Sequence, residues 1–192
     1  MKEKTHLGKQ LLSILVPCYN EEAVLPAFYQ RTSQVIADIP RYDFQFIFVN
    51  DGSKDHTLDV MRELREKDSR VSYVNLSRNF GKEIAMIAGI DYLTGDAAII
   101  MDADLQDPPE LIPEMIYWWE KGYQDVSAKR RSRAGESFFK KWSSHAFYTL
   151  LQKVSDVPMQ RDVGDFRLLD RQCLNALRLM RESQRYTKGL FS

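Results

Sequence analysis

From Leu12 onward the apolar positions of the chain keep two alternating rhythms. Short continuous runs rich in β-branched and aromatic residues give way to stretches in which apolar residues return every three or four positions. The runs LSILV (Leu12 to Val16), FQFIFV (Phe44 to Val49), VSYVNL (Val71 to Leu76), AAIIM (Ala97 to Met101) and the less apolar DVSAK (Asp125 to Lys129) predict strands. Between the first two, Val24, Phe28, Val35, Ile36 and Ile39 predict one face of a helix beginning near Asn20. Leu58, Met61 and Leu64 mark a second helix. Ile84, Ile87 and Ala88 mark a third, ending at Thr94-Gly95, and Leu111 to Glu120 a fourth, ending at Lys121-Gly122. Strand alternating with helix predicts an α/β fold, a mostly parallel central sheet flanked by helices.

In such a sheet, ligands sit outside the carboxyl ends of the strands. The first four predicted strands run into PCYNEE, NDGSKD, SRNFGK and DADLQD. Singly these are ordinary turns, with Asn20 an ordinary helix cap; together they describe a pocket. The last is the most unusual, because like charges so close repel one another unless a cation lies between them. Residues i and i+2 of an extended chain point the same way, roughly 6.5 to 7 Å apart, so Asp102, Asp104 and Gln106 can converge on one ion. Oxygen ligands favour Mg²⁺ or Mn²⁺ over zinc. An EF-hand loop is excluded, since its turn glycine would fall at Asp107 and its closing glutamate at Pro113. The competing reading is that the acids cap a helix starting near Pro109, the role expected of Asp107.

Composition narrows the classes. The chain has 192 residues, enough for one substantial domain, and 27 Lys plus Arg balance 27 Asp plus Glu, so no global charge argues for nucleic acid. Cys18 and Cys173 lie far apart and the three histidines are scattered, without metal-ligand or nucleophile spacing. The first ten residues are too polar for a signal peptide, and no apolar run nears the ~18 residues of a membrane span. The expectation is a soluble or peripheral chain; the ending YTKGLFS carries no stop signal and is compatible with a longer parent.

The composition changes after Lys129, dividing the sequence into 1–129 and 130–192. Lys129, Arg130, Arg131, Arg133, Lys140 and Lys141 face one acid, Glu136. An amphipathic pattern follows from Phe138 to Val154, readable either as a core helix with a solvated face or as a helix on an anionic membrane surface. In the second case each basic residue contributes ~1 kcal/mol.

The ordered set VPCYNEE, VNDGSKDHT, LSRNFGKE, DADLQDPPE and GDFRLLDR resembles family 2 glycosyltransferases of the GT-A fold, within them the polyprenyl-phosphate glycosyltransferases such as bactoprenol glucosyltransferases and dolichyl-phosphate mannose synthase. The resemblance runs from Leu12 to Phe191. It implies an inverting, metal-dependent enzyme that moves a sugar, glucose first, from a UDP-sugar to undecaprenyl phosphate at the cytoplasmic face of the plasma membrane. Mannose, galactose or an amino sugar remain alternatives. It implies that Mg²⁺ or Mn²⁺ is held by Asp102 and Asp104 with Gln106, and that the donor is bound by Pro17, Tyr19, Glu21, Asp51, Ser53 and Asp102. For the lipid phosphate the basic residues Arg130 and Arg131, with Arg78 and Lys82, are the candidates, against a solvated charged loop. Asp165 and Arg167 are placed in a loop before a further helix, Asp165 at the reaction centre with Asp104; the rival is a turn aspartate after Gly164. Residues 1–129 would then be the nucleotide-sugar and metal-binding half and 130–192 the acceptor loop and amphipathic helices. The paired transmembrane helices usual in this subgroup are missing from the sequence, and association as a homo-oligomer is compatible with the resemblance.

Two other enzyme classes fit less well. A sugar-nucleotide pyrophosphorylase needs a glycine-rich loop after its first strand, and PCYNEE has no glycine. A processive synthase carries a tryptophan-bearing acceptor motif that QRYTK lacks. A non-catalytic nucleotide-binding module at a membrane surface is the remaining alternative, for which paired metal carboxylates have no chemical use.

Overall fold

The computed structural model describes residues 8–129 and 163–179. Six strands form one mixed sheet in the order β3-β2-β1-β4-β6-β5. They are β1 (Gln10–Cys18), β2 (Tyr42–Asn50), β3 (Val71–Asn75), β4 (Ala97–Ile100), β5 (Asp125–Lys129) and β6 (Val163–Asp170). The pairs β1/β2, β2/β3 and β1/β4 are parallel, and β6 runs antiparallel to β4. The helices are α1 (Leu25–Ala37), α2 (Thr57–Lys67), α3 (Lys82–Asp91), α4 (Ile112–Glu120, after a 3-10 turn at Pro109–Leu111) and α5 (Arg171–Leu179).

The central strands are continuous apolar runs because both of their faces are covered. Leu12, Ile14 and Val16 join Phe46 and Phe48 against α1, α2 and α4, a core that includes Phe28, Met61, Ile112 and Ile116. Phe28 meets Phe48 edge-on at 6.4 Å, and Phe48 stacks on Phe46 at 5.8 Å. On the other face α3 comes so close that a Cβ at Gly89 would lie 2.3 Å from Leu15 Cδ1. Opposite α3's carboxyl end, the Arg178 guanidinium of α5 donates to the Ile90 carbonyl at 2.7 and 3.0 Å. A cation there satisfies orphan carbonyls and complements the helix dipole.

Three expectations are corrected. The first helix starts at Leu25, not near Asn20: Pro26 presets its first turn, and Asn20 instead sits in the left-handed region (φ 57) and accepts from Lys54 N at 2.9 Å. The third helix buries Ala85, Met86, Gly89 and Ile90, leaving Ile84 exposed, and it ends at Asp91. Asp107 is buried and accepts from Asp102 N at 3.4 Å. The GDFR segment is not a loop but part of β6, where Phe166, Leu168 and Leu169 are buried.

Residues 8–128 and 165–179 form one unit. The chain returns to this unit at Asp165, so β6 from Asp165 onward and α5 belong to it. Arg130, Arg131 and the Phe138 to Val154 pattern lie outside the described residues.

Strand order reverses between β1, which neighbours β2, and β4, which neighbours β6. The loops leaving β1 and β4 diverge at that switch point and open a crevice at the carboxyl edge of the sheet.

Candidate active site

An open cavity of about 270 Å³ occupies this crevice. Pro17, Cys18, Tyr19 and Glu21 line it from the β1 exit and Asp102, Ala103 and Asp104 from the β4 exit. Asp51 after β2, and Asn79, Gly81 and Lys82 at the start of α3, complete the wall. The structure therefore brings together Pro17, Tyr19, Glu21, Asp51, Lys82, Asp102 and Asp104 from segments far apart in sequence.

The β2 exit is a scaffold. Asp51 is buried, and its oxygens accept from the backbone amides of Phe80 at 2.8 Å and Gly81 at 2.9 Å. Its carboxylate thus latches the loop before α3, a use that sequence could not reveal. Gly52 allows the latch to close: its φ is +63°, and a Cβ there would stand 2.3 Å from the Arg78 carbonyl carbon. Ser53 is a staple between two exits rather than a wall residue, its hydroxyl accepting from Asn20 N at 3.0 Å while its amide donates to Asn50 Oδ1 at 3.1 Å. Asn50 in turn donates to Asn75 at 2.7 Å, tying the ends of β2 and β3.

The β4 exit is different. Leu105 adopts φ 59, uncommon for a branched side chain, and the turn lets Gln106 N donate to Asp104 Oδ1 at 3.0 Å. Asp104 is exposed, and Gln106 is not among the lining residues. Asp102 is half-buried and meets the Lys82 ammonium at 2.6 Å through Oδ1 and 2.8 Å through Oδ2. The negative potential is felt across the crevice. Burial first, then Asp104, Asp102 and Asp55, raise the Glu21 carboxyl above its ordinary value. Burial, with Glu21 and Asp102, likewise pushes the Cys18 thiol well up, so this lining thiol is held protonated.

Among the described residues no three Asp, Glu, His or Cys groups already surround one point. Two carboxylates fit a hard divalent ion all the same, because Mg²⁺-type ions are usually held by one or two protein carboxylates with ligand phosphates and waters completing the shell. The cationic ammonium straddling Asp102 shows that this carboxylate demands a positive partner.

Of the remaining expected site residues, Arg78 is exposed and its guanidinium lies 4.4 Å over the Phe80 ring, outside the wall. Arg167 is buried within β6 and donates to Asp125 at 2.9 Å, so it joins strand to strand rather than lining the cavity. Its register partner is Ile100, the last residue of β4. Asn79 and Gly81 are wall residues that sequence patterns do not single out; their signal is the SRNFGK exit, in which the two cations are more conspicuous.

Residues 13–178 match the model of glycosyl transferase family 2. The chain is 47% identical over 180 residues to the uncharacterized glycosyltransferase YkcC of Bacillus subtilis (strain 168), spanning 94% of this chain and 55% of that protein. It is 40% identical over 181 residues to a bactoprenol glucosyl transferase of Shigella phage SfX, spanning 94% and 59% respectively. It therefore spans just over half the length of these relatives. Glucosyl-3-phosphoglycerate synthase of Mycobacterium tuberculosis, solved with Mn²⁺, UDP-glucose and phosphoglyceric acid, superposes with a TM-score of 0.58 at 22% identity, over 85% of this chain and 58% of that one. That likeness identifies the α/β architecture as GT-A.

Proposed function

The chain belongs to glycosyl transferase family 2, and from that premise we propose that it carries the donor-binding and catalytic part of an enzyme transferring a hexose, glucose first, from UDP to a polyprenyl phosphate. The observation that carries the reading is the crevice at the β1/β4 switch point, where Asp102 and Asp104 face the Tyr19 and Glu21 wall. The relatives named for bactoprenol glucosyl transfer support the lipid acceptor. The neighbour bound to UDP-glucose and Mn²⁺ supports the donor and the ion.

Asp102 and Asp104 would hold Mg²⁺ or Mn²⁺, which supplies Lewis-acid stabilisation of the leaving diphosphate. Tyr19 and Pro17 offer a face for the nucleoside, with Asp51 fixing the neighbouring loop. A phosphate monoester is already largely dianionic near neutral pH, its second pKa being about 6. Its oxygen can attack the anomeric carbon as the bond to the diphosphate oxygen breaks, releasing UDP and inverting the centre. No strong general base is required, so positioning dominates. Asp165, at the edge of β6, is assigned to orienting the sugar, and Arg167 to holding that edge through Asp125. Arg130 and Arg131 are assigned to the acceptor phosphate, and the following amphipathic stretch to a membrane surface on the cytoplasmic side.

The test is a thermal-shift series with UDP-glucose, UDP-galactose and GDP-mannose, with Mn²⁺ or chelator. At a hundredfold excess over Kd, stabilisation of ~2.7 kcal/mol corresponds to an increase of roughly 5 to 10 °C for a chain of this size. UDP-glucose should give it only with the ion. No nucleotide sugar shifting the transition would overturn the proposal, and a response to GDP-mannose alone would change the donor. Transfer to a short polyprenyl phosphate then checks the acceptor.

A further inference from the structure

The Tyr19 and Glu21 side of the cavity is a loop, and the loop leaving β2 holds it. Three successive amides reach across: Asn20 N donates to Ser53 Oγ at 3.0 Å, Glu21 N to Thr57 Oγ1 at 2.7 Å and Glu22 N to Asp55 Oδ2 at 3.2 Å. In return Lys54 N donates to Asn20 Oδ1 at 2.9 Å and His56 N to Glu22 Oε2 at 2.6 Å. Of these residues Thr57, the first of α2, is the fully buried one, and it stands behind the wall rather than in it. Its hydroxyl donates to Asp55 Oδ1 at 2.6 Å, which turns a lone pair toward the Glu21 amide. Asp55 Oδ1 also accepts from Thr57 N at 3.1 Å, so the relay is anchored to the start of the helix. What the relay holds is held against repulsion. Burial first, then Asp104, Asp102 and Asp55, disfavour the charged Glu21 carboxylate where it sits, and a loop left to itself would turn that group out to water.

We propose that Thr57 is a positioning residue for nucleotide binding: through the Glu21 amide its hydroxyl fixes the β1-exit loop where Tyr19 and Glu21 meet the nucleoside of the donor. The inference rests on the donor reading above and deepens it, because it names what sets the geometry of that wall. Thr57 itself touches no ligand. Without its hydroxyl, Glu21 N is a part-buried donor facing no acceptor at that place, and the loop must shift to satisfy it. A wall without one fixed position leaves its ordering to the ligand, and that cost lowers affinity. The buried methyl of the same side chain serves packing alone. Hydroxyl and methyl therefore have separable effects, one on binding and the other on stability.

The experiment compares the 192-residue chain with Thr57→Val, which keeps the size and loses the hydroxyl, and Thr57→Ser, which keeps the hydroxyl and loses the methyl. UDP binding with Mn²⁺ is measured by calorimetry, exchange of the Glu21 amide by hydrogen exchange, and stability by urea unfolding. Both variants should unfold at lower urea than the parent. Thr57→Val should bind UDP about tenfold more weakly and exchange the Glu21 amide faster, whereas Thr57→Ser should stay within about twofold of the parent in affinity. A merely structural threonine would leave UDP affinity unmoved or let it follow the urea midpoint in both variants. Unchanged affinity in Thr57→Val, or equal weakening in Thr57→Val and Thr57→Ser, overturns the proposal. If Thr57→Val does not fold, Asp55→Asn carries the test: an amine then faces one of the donors on Asp55, UDP should bind about threefold more weakly, and unchanged affinity overturns the proposal. Failure of the unaltered chain to bind UDP with Mn²⁺ is a different result: it removes the donor reading, and the positioning role with it.

Discussion

Acids gather at both edges of the sheet, and Asp68 at one edge and Glu21 at the other are held in opposite ways. At the amino edge, Asp68 accepts from Tyr29 and pairs with Arg70 at 2.7 Å, and the Arg70 hydrogen bond is the main cause that lowers its pKa to about 2. Glu120 there accepts from Tyr42 at 2.6 Å and from Arg41 at 3.1 Å, and Asp170 accepts from the first amides of α5. At the carboxyl edge Glu21 is shifted the other way, by burial and by Asp104 and Asp102. Local partners make an acid part of the framework. Crowded acids around a cavity instead raise one another's pKa, as Asp104 and Asp102 do for Glu21.

The sharpest way to break this contrast is Asp104→Ala. Its described role within the chain is one hydrogen bond from Gln106 N, so unfolding free energy should move by no more than about 0.5 kcal/mol. Transfer should fall by about 10² to 10³-fold, the scale of losing one electrostatic stabiliser of a leaving group. A strongly destabilised yet fully active variant would place Asp104 with the framework acids instead.

Next in size is Gly52→Ala, which attacks the framework part of the same edge. The added Cβ meets Arg78 backbone at 2.3 Å, at a φ of +63°, so the loop before α3 must shift. A loss of at least about 2 kcal/mol is expected, roughly 4 to 8 °C in a chain this size, read by thermal unfolding. An unchanged melting temperature would mean that the two loops are not locked.

Smaller again is Asp51→Asn. One acceptor oxygen becomes an amine facing a backbone donor, and the cost of a lost buried hydrogen bond is about 1 to 2 kcal/mol. Faster hydrogen exchange at the Phe80 and Gly81 amides should accompany it; unchanged exchange there would remove the latch.

These contrasts are only partly legible in sequence. The central strands are, because Ile14, Leu15, Ile99 and Ile100 are buried on both faces and so read as unbroken apolar runs. The convergence of the polar exits is legible too, since a parallel sheet delivers them to one edge. β6 escapes because Gly164-Asp165 reads as a turn, although Asp165, Phe166, Arg167 and Leu168 alternate as a strand should; its partner β4 is remote in sequence and adds no local signal. The face of α3 falls one position off because Gly89, packed on Leu15, looks polar in a pattern count. The latch of Asp51 and the Lys82–Asp102 pair depend on loops meeting across the sheet, which no spacing encodes.

The gentlest probe compares one acid from each edge by pH. Asp68 has its folded pKa depressed from 3.8 to about 2, so its contribution is complete above pH 3.8 and is lost as pH falls through about 2. Discounted for solvent screening, Asp68→Asn should cost about 1 kcal/mol at neutral pH, and the gap from the parent should close between about pH 4 and 2. Glu21 has the opposite sign. Its folded pKa is raised above 4.5, so its ionised form opposes folding, and that penalty disappears as pH falls through the raised value. Glu21→Gln should therefore gain a few tenths of a kcal/mol at neutral pH, with the advantage fading on acidification. Urea unfolding of both variants from about pH 7 to about pH 2 tests the pair. Two curves moving in the same direction would mean that the edges do not differ in how they hold charge.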